Sequence, residues 1–274
     1  MIDYDMHVHS TYSDGTLSVK EILEICKKKS LKGVAITDHD TVAAFEDSHY
    51  LAEKSLDIIP GVELSTSYNG EEVHILGYNI DYKNECLLKT LDKIKNFRVH
   101  RVEEIINKLK HLGYDIEIEE VFLKATKDSS IGRPHIARCL VEKGYFKDTN
   151  SAFEGVLGNN KPAFVERYKL SSEEGINLIK NAGGIPVLAH PCIIQSFSLS
   201  KVIADMIKYG VEGIEVFHTL HSKLDEGNLL NYAIKNSLLI TGGSDCHEKL
   251  DSNGEFVIGS KGISLEHIQK LKGR

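Results

Sequence analysis

Two histidines near the start of the chain are the first residues whose types and spacing could do chemistry. His7-Val8-His9 follows an apolar run typical of a strand, where side chains at positions i and i+2 point to the same side. Both imidazoles can therefore bind one ion, at about 2.1 Å from each nitrogen. A single His-x-His pair is a weak signal. Shortly after it, Ser13-Asp14-Gly15 adds a carboxylate in a turn.

Further histidines and carboxylates recur where later apolar runs end. Thr37-Asp38-His39-Asp40 follows the second run, and its titratable residues need solvent or a cation unless they are paired. The others are Glu63, His74, His190, His218, Asp245 and His247. Each alone is more typical of an ordinary core or surface residue. Together they fall where the carboxyl ends of parallel strands are expected, which is where barrel active sites assemble, and this coincidence predicts a metal site.

The candidate ligands offer nitrogen and oxygen donors only. They are His7, His9, Asp14, His39, Glu63, His74, His190, Asp245 and His247. Imidazoles mixed with carboxylates suit Mn, Fe or Zn better than Ca or Mg, which prefer oxygen ligands alone. Because one ion cannot bind so many ligands, we expect two or three divalent transition metals. Adjacent cations of this kind activate water and bind anions.

Short Val- and Ile-rich runs alternate with helical stretches, a pattern typical of parallel strands joined by crossover helices. Strands are predicted at Tyr4–His9, Gly33–Thr37, Ile58–Leu64, Val73–Tyr78, Ile185–Ala189, Gly213–Phe217 and Leu238–Thr241. Ser18 with Glu21, and Ser171 with Glu174, form capping boxes that predict helix starts. The sequence therefore predicts an α/β barrel in one chain.

Residues 85–168 interrupt this alternation and are predicted to form a helical insertion that covers the active site. An apolar periodicity from Leu88 to Leu112 indicates a long helix, and no convincing strand follows it. The barrel is assigned to residues 1–84 and 169–274. Residues 91–170 carry 15 Lys and Arg against 12 Asp and Glu, whereas the remainder carries 18 against 28. The insertion is therefore the basic part of the chain, although a solvated surface is the simpler interpretation of charge alone.

The composition argues against several other classes of protein. The 274 residues carry a formal charge of −7 and no apolar run long enough to span a membrane. Net negative charge without a basic patch interleaved with aromatic residues argues against stable duplex nucleic-acid binding. Five scattered cysteines without a Cys-x-x-Cys pair predict reduced thiols rather than disulfides or a thiolate zinc site. An acidic amino terminus without a signal-peptide pattern predicts a cytoplasmic location.

In their order, these motifs resemble those of the polymerase and histidinol phosphatase (PHP) domain family. The matching stretches are His7-x-His9 with Ser13-Asp14-Gly15, Thr37-Asp38-His39-Asp40, Gly61-x-Glu63, His74, Ala189-His190-Pro191 and Asp245-x-His247. They span almost the whole chain. The resemblance implies a distorted, TIM-like (β/α)7 barrel, with the insertion between the fourth and fifth predicted strands and a trinuclear metal centre at the strand ends.

The resemblance also implies how the ligands divide among the metals. One metal would be held by His7, His9, Glu63 and Asp245. A second would be held by His74 and His190, with Glu63 as the bridge. A third would be held by Asp14, His39 and His247. Every one of these positions is filled, which argues against the non-catalytic PHP domains that accompany polymerases.

A phosphate-binding segment is predicted within the insertion. Gly132-Arg133-Pro134-His135 has a proline near the first position of a predicted helix, and helix N-termini attract anions while arginine binds phosphate through two hydrogen bonds. The PHP phosphoesterases carry a similar stretch beside the substrate phosphate, so Arg133 and His135 are candidate substrate ligands. Arg98 and Arg101 lie three residues apart on one predicted helix and are weaker candidates, and Lys161 and Arg167 are weaker still.

The resemblance is strongest to stand-alone PHP phosphoesterases that act on nucleotides. It implies hydrolysis of nucleoside 3',5'-bisphosphates or short oligonucleotides by attack of a metal-bridging hydroxide. His218 or His221 would protonate the leaving alcohol. A histidinol-phosphate phosphatase remains an alternative, as does a non-catalytic metal-binding or nucleic-acid-associated module. A metal-dependent amidohydrolase is disfavoured, because Glu63 stands where such enzymes use a carboxylated bridging lysine.

Overall fold

Eight strands form a nearly closed barrel-shaped sheet in the computed structural model, which describes residues 2–124, 131–194, 197–248 and 250–273. The strands are β1 (Tyr4–Val8), β2 (Gly33–Ile36), β3 (Asp57–Tyr68), β4 (Glu71–Tyr78), β5 (Leu170–Ser171), β6 (Ile185–Leu188), β7 (Gly213–His218) and β8 (Leu239–Gly243). They lie side by side in the order β1-β2-β3-β4-β6-β7-β8, and the short β5 pairs with β3. All seven predicted strands are confirmed, as is the TIM-like barrel.

Helices follow most strands, and several of them pack against the sheet. They are α1 (Val19–Lys28), α2 (Ser48–Ala52), α3 (Glu85–His111), α4 (Ile118–Phe122), α5 (Arg133–Glu142), α6 (Thr149–Ala152), α7 (Ser172–Asn181), α8 (Leu199–Tyr209), α9 (Lys223–Lys235) and α10 (Leu265–Lys272). Both predicted capping boxes are present, with Ser18 capping α1 and Ser171 capping α7. These caps satisfy backbone N–H groups at the turns where strands give way to helices.

The expectation that every strand is parallel is wrong for β4. This strand runs antiparallel to both β3 and β6. Asn69 and Gly70 join β3 to β4 with φ angles of 49° and 86°, and a two-residue turn with two positive φ angles makes a hairpin. His74 therefore reaches the centre from the middle of a reversed strand rather than from a carboxyl end.

The barrel closes where the chain after β8 meets β1. The Asp245 N–H donates to the His7 carbonyl at 2.8 Å, and the His9 N–H donates to the Cys246 carbonyl at 3.1 Å. Gly243 permits this approach, because a Cβ there would lie 2.3 Å from the backbone nitrogen of His7. Closure therefore sets the first His-x-His pair directly beside the last Asp-x-His pair.

The predicted insertion is helical in the part that the structure describes, and residues 125–130 lie outside it. Apolar side chains from the second half of α3, including Val102 and Leu109, pack with Ile136 and Leu140 of α5 in a cluster separate from the barrel core. The first half of α3 packs on the barrel through Leu87, with Leu88 exposed. The division of the chain at residues 84 and 168 stays a prediction.

None of the helices in the described ranges has the length and apolar character needed to span a bilayer. All five cysteines are free, as the sequence predicts.

Replacing Gly243 by alanine tests the closure. The added methyl group would clash with the backbone of His7, so we expect Gly243→Ala to lower the free energy of unfolding by roughly 1–3 kcal/mol. Gly227 in α9 is the matched control, because a Cβ there meets open space and alanine favours a helix by roughly 0.5–1 kcal/mol. Urea denaturation measures the free energy of unfolding of both variants. Equal stability of Gly243→Ala and Gly227→Ala would refute the close approach of Gly243 to the His7 backbone.

Candidate metal centre

Glu63 lies at the middle of the site, on β3, with its side chain 1% exposed. Five imidazoles approach its two oxygens, from His7, His9, His39, His74 and His190. Oε1 is 2.9 Å from a nitrogen of His74 and of His190. Oε2 is 3.1 Å from His9 Nε2 and 3.2 Å from nitrogens of the other two. One buried carboxylate thus contacts histidines from several strands of the barrel.

Two aspartates complete the cluster on the side where the barrel closes. Asp245 Oδ1 is 3.3 Å from His7 Nε2 and 3.2 Å from His9 Nε2. Asp14 Oδ1 is 3.1 Å from His247 Nε2, and the His247 ring stacks on His9 with centroids 3.9 Å apart. The structure therefore brings together all the predicted ligand residues from both ends of the chain.

Buried polar atoms without well-aligned hydrogen bonds indicate that this cluster is suited to binding cations. Among the described residues, four buried atoms of the cluster form no well-aligned hydrogen bond despite these close contacts: Asp14 Oδ1, His39 Nδ1, Glu63 Oε2 and Asp245 Oδ1. A buried polar atom without a partner costs free energy that a bound cation would recover. Donor atoms of His7, His9, Glu63 and Asp245 lie within 4.8 Å of one another, and so do those of His9, Asp14, His39 and His247. The assignment of individual ligands stays a prediction.

The two aspartates flanking His39 are satisfied without a cation. Asp38 accepts hydrogen bonds from the Ser10 N–H at 2.7 Å and from the Ser13 hydroxyl at 2.6 Å, which holds the turn that carries Asp14. Asp40 pairs with Arg98 and accepts from the Ser65 N–H at 2.9 Å. Of the three titratable residues after the second strand, only His39 therefore faces the cluster.

Charge compensation within the cluster shifts the pKa of its groups. Burial by itself raises the pKa of Glu63, but His39, His7 and His74 outweigh it and hold this pKa well below its usual range. Burial lowers the pKa of His74, yet Glu63 and Glu72 raise it to about 10. His247 likewise has its pKa raised to about 10, by Asp14 and Asp245 against burial. The metal-free cluster therefore holds protons at neutral pH.

A cavity of about 590 Å³ is lined by Glu72, which contacts His74 of the cluster. Arg101, Arg133, Arg167 and Lys169 line it, together with acidic residues that include Glu72. Glu72 accepts from His74 Nε2 at 2.9 Å and from Arg167 at 2.6 Å, so it connects the cavity to the cluster. Burial lowers the pKa of Arg101 to about 9, helped by the positive charges of Arg133, Arg167 and Arg98. Crowded, partly buried guanidinium groups of this kind favour an anion among them.

The predicted substrate ligands are distributed unevenly around the cavity. Arg101 and Arg133 line it, and Arg133 also donates to the Leu157 carbonyl at 3.0 Å. Arg98 lies nearby but is buried in its pair with Asp40. His135 is buried in the first turn of α5, where its Nδ1 accepts from the Gly132 N–H at 3.2 Å. Their roles toward substrate stay predictions.

The two candidate general acids differ in their surroundings. His218 is buried, its Nδ1 accepts from the Leu220 N–H at 3.1 Å, and its Nε2 lies 3.2 Å from Asp245 Oδ2. His221 donates from Nδ1 to the Val216 carbonyl at 2.9 Å, and burial lowers its pKa. Because His221 uses its Nδ1 hydrogen on a backbone carbonyl whereas Nε2 of His218 faces Asp245 in the cluster, His218 is the better placed of the two.

Sequence reasoning missed several residues of the site. Glu215 is fully buried and contacts His7, although a glutamate within an apolar strand was a usable signal. Lys169 and Glu72 belong to no sequence motif that would have identified them. Arg138 was also missed; it donates to the Asp14 carbonyl and lies 3.5 Å from Glu248. The remaining histidines lie on helices: His49 on α2, His100 and His111 on α3, and His267 on α10.

A barrel that gathers imidazoles and carboxylates from its strands and the turns after them, beside a cavity lined with arginines, has the architecture of a metal-dependent hydrolase of anionic substrates. Comparison with known proteins agrees. The PHP domain family matches residues 5–158, more than half of the chain. A 5'-3' exoribonuclease of Haemophilus influenzae is 33% identical over 247 residues, which cover 89% of each chain.

Two further relatives match along most of their length. A 3',5'-nucleoside bisphosphate phosphatase of Chromobacterium violaceum is 30% identical over 250 residues, covering 90% of this chain and 88% of the relative. A crystal structure from Bifidobacterium adolescentis, described as a candidate metal-dependent phosphoesterase, is 29% identical with a TM-score of 0.89, covering 98% of this chain and 94% of that one. The chain therefore belongs to the PHP domain family. It is a metal-dependent phosphoesterase, a hydrolase of phosphoric esters.

Proton release on metal binding tests the charge balance of the cluster. Since His74 and His247 hold protons at pH 7 in the metal-free protein and a metal ligand must be neutral imidazole, we expect Mn²⁺ to displace protons. Its apparent affinity should rise between pH 6 and 8, by about tenfold per pH unit for each proton released. A titration of the metal-free protein with MnCl₂ in weakly buffered solution measures this, with KCl as the control. Metal binding without proton release would contradict the charge balance.

Proposed function

We propose that this enzyme hydrolyses phosphate esters of nucleotides, with nucleoside 3',5'-bisphosphates or short oligonucleotides as its substrates. The observation that carries the proposal is the cavity lined by Arg101, Arg133, Arg167 and Lys169 beside the His74 edge of the cluster. A substrate phosphate at the cluster would leave a second phosphate within reach of this cavity. The names of the relatives, an exoribonuclease and a nucleoside bisphosphate phosphatase, support the same substrate class.

Two or three divalent transition metals, Mn, Fe or Zn, are proposed as cofactors. The residues that would hold them are His7, His9, Asp14, His39, Glu63, His74, His190, Asp245 and His247. Bound there, such metals would lower the pKa of water and neutralise charge on the phosphoryl oxygens. The nitrogen and oxygen donors of the cluster suit these ions better than calcium or magnesium.

The protein's own residues would bind and orient the substrate around the reacting phosphate. Arg133 and Arg101 can each donate hydrogen bonds to the second phosphate, and arginine does so in bidentate geometry. The Arg133 guanidinium lies 5.6 Å from the Phe153 ring and 5.9 Å from the Phe164 ring, which restricts its orientation. His218 would give a proton to the leaving oxygen, because it is buried at the cluster and its Nε2 faces Asp245.

Histidinol phosphate is the less favoured substrate. It carries one phosphate and an ammonium group, and an ammonium group would be repelled by the cations of the cavity. A non-catalytic metal-binding module would bind metals without turnover. These alternatives differ in which phosphate esters, if any, are hydrolysed.

A substrate panel at equal concentrations, with added Mn²⁺, tests the proposal. We expect nucleoside 3',5'-bisphosphates or short oligonucleotides to give a kcat/KM at least about tenfold above that of nucleoside monophosphates and of histidinol phosphate, because a charged hydrogen bond contributes about 1.5–3 kcal/mol. Preference for histidinol phosphate, or no turnover of any ester, would refute the proposed substrate class.

Arg133→Ala tests the role of the cavity within the same panel. We expect the KM for a bisphosphate to rise about tenfold or more while the KM for a monophosphate changes little, because only the second phosphate loses its partner. Lys147→Ala is the control, since it removes a positive charge of the insertion from an exposed position that does not line the cavity. An unchanged bisphosphate KM in Arg133→Ala would remove this arginine from the proposed site.

A further inference from the structure

Glu215 is a buried carboxylate that the proposed chemistry does not use. It lies on β7 within the apolar run Gly213–His218, and its side chain is fully buried. An ionised carboxylate in such surroundings is costly unless donors reach its oxygens. Among the described residues, its hydrogen-bond donors are His7 and His190, which are both predicted metal ligands.

Each oxygen of Glu215 accepts from a different part of the barrel. His7 Nδ1, on β1, donates to Oε1 at 3.0 Å. The backbone N–H of His190, just after β6, donates to Oε2 at 2.8 Å. The Glu215 carboxylate, on β7, therefore holds His7 and His190 in place, although no direct hydrogen bond joins these two predicted ligands.

The bond to His7 determines which nitrogen faces the cluster. Because Nδ1 carries the hydrogen donated to Glu215, Nε2 can present its lone pair to the cluster, where His9 Nε2 lies 3.1 Å away and Asp245 Oδ1 3.3 Å away. Metal-ligating histidines are commonly oriented in this way by a partner at the other ring nitrogen. Glu215 and Glu63 therefore contact opposite sides of the His7 ring, Glu215 at Nδ1 and Glu63 at Nε2.

The bond to His190 holds an uncommon backbone conformation. His190 has a φ of 24°, in a region that residues other than glycine rarely adopt. Such a conformation persists only where surrounding contacts enforce it. The hydrogen bond to Glu215 keeps the His190 N–H in place while its Nε2 reaches Glu63 at 2.9 Å.

We propose that Glu215 is a positioning residue of the metal centre, which sets the tautomer of His7 and the backbone of His190 without itself binding metal. The inference rests on the metal-dependent function proposed above. It explains why a carboxylate stands at this position: two donors face it, and both of its oxygens accept. A glutamine would offer one acceptor and would turn its NH₂ group toward the other donor.

Cobalt binding to the metal-free protein, followed by visible absorption, tests the proposal independently of turnover. For Glu215→Gln we expect a dissociation constant for Co²⁺ raised about 10–100-fold, with an altered absorption spectrum at saturating Co²⁺ and an unchanged number of ions bound. Glu215→Asp keeps the negative charge, but its shorter side chain reaches one donor at most. We therefore expect the Co²⁺ affinity of Glu215→Asp to be intermediate between those of the wild type and Glu215→Gln. With all metal sites saturated, kcat should fall and KM should stay near its wild-type value.

Glu226→Gln is the matched control. Glu226 is also a buried glutamate, but it pairs with Lys223 and Lys261 on the outside of the barrel. We expect its Co²⁺ affinity, spectrum and kcat to match those of the wild type within about twofold, whatever its effect on stability.

Two results would overturn the proposal. Wild-type affinity and spectrum in Glu215→Gln would show that the carboxylate positions nothing, and loss of one whole ion with the others unaffected would make Glu215 a ligand. If the wild type binds Co²⁺ but hydrolyses no nucleotide, the proposed substrate class fails while the spectra still decide the role of Glu215. If the wild type binds no Co²⁺, both proposals fail.

Discussion

The contact of Glu63 with five imidazoles is the interaction on which the rest of the site depends. A carboxylate with almost no exposure, in the interior of a barrel, would be strongly destabilising without compensating charge. In the metal-free protein, protonated His7 and His74 supply that charge, because Glu63 and neighbouring carboxylates raise the pKa of both imidazoles. Cations would supply it when metals are bound. The barrel must therefore bring residues far apart in sequence to within about 3 Å of one carboxylate.

This constraint accounts for features of the fold that lie outside the cluster. Gly243 lacks a side chain where the last strand passes β1, which lets Asp245 approach His7 and His9. Asp38 holds the turn that presents Asp14, and the pair between Asp40 and Arg98 connects the barrel to the insertion. Helices α3 and α5 then bring Arg101 and Arg133 to the cavity that Glu72 connects to His74, so an acidic protein places arginines beside its cluster. Metal cations would add to that local positive charge.

Much of the fold was predictable from the sequence, because buried strands, capping boxes and the long helix carry strong local patterns. The reversal of β4 was missed, although Asn69-Gly70 is a strong short-range hairpin signal. The candidate ligands were predictable from their coincidence at strand ends. Glu215, Lys169 and Arg138 were not, because their roles depend on contacts between segments far apart in the chain, such as Glu215 with His7 and Arg138 with Asp14. The local sequence pattern identifies polar residues in apolar segments, whereas their contact partners are set by the tertiary structure.

The most direct test of the account is anomalous diffraction from crystals of the enzyme equilibrated with Mn²⁺. If the cluster is the metal centre, anomalous difference density will show at least two ions, with Glu63 contacting more than one of them and with imidazoles of the cluster as the other ligands. Anomalous peaks located elsewhere, with the histidines still hydrogen-bonded to Glu63 in an active enzyme, would contradict the central claim.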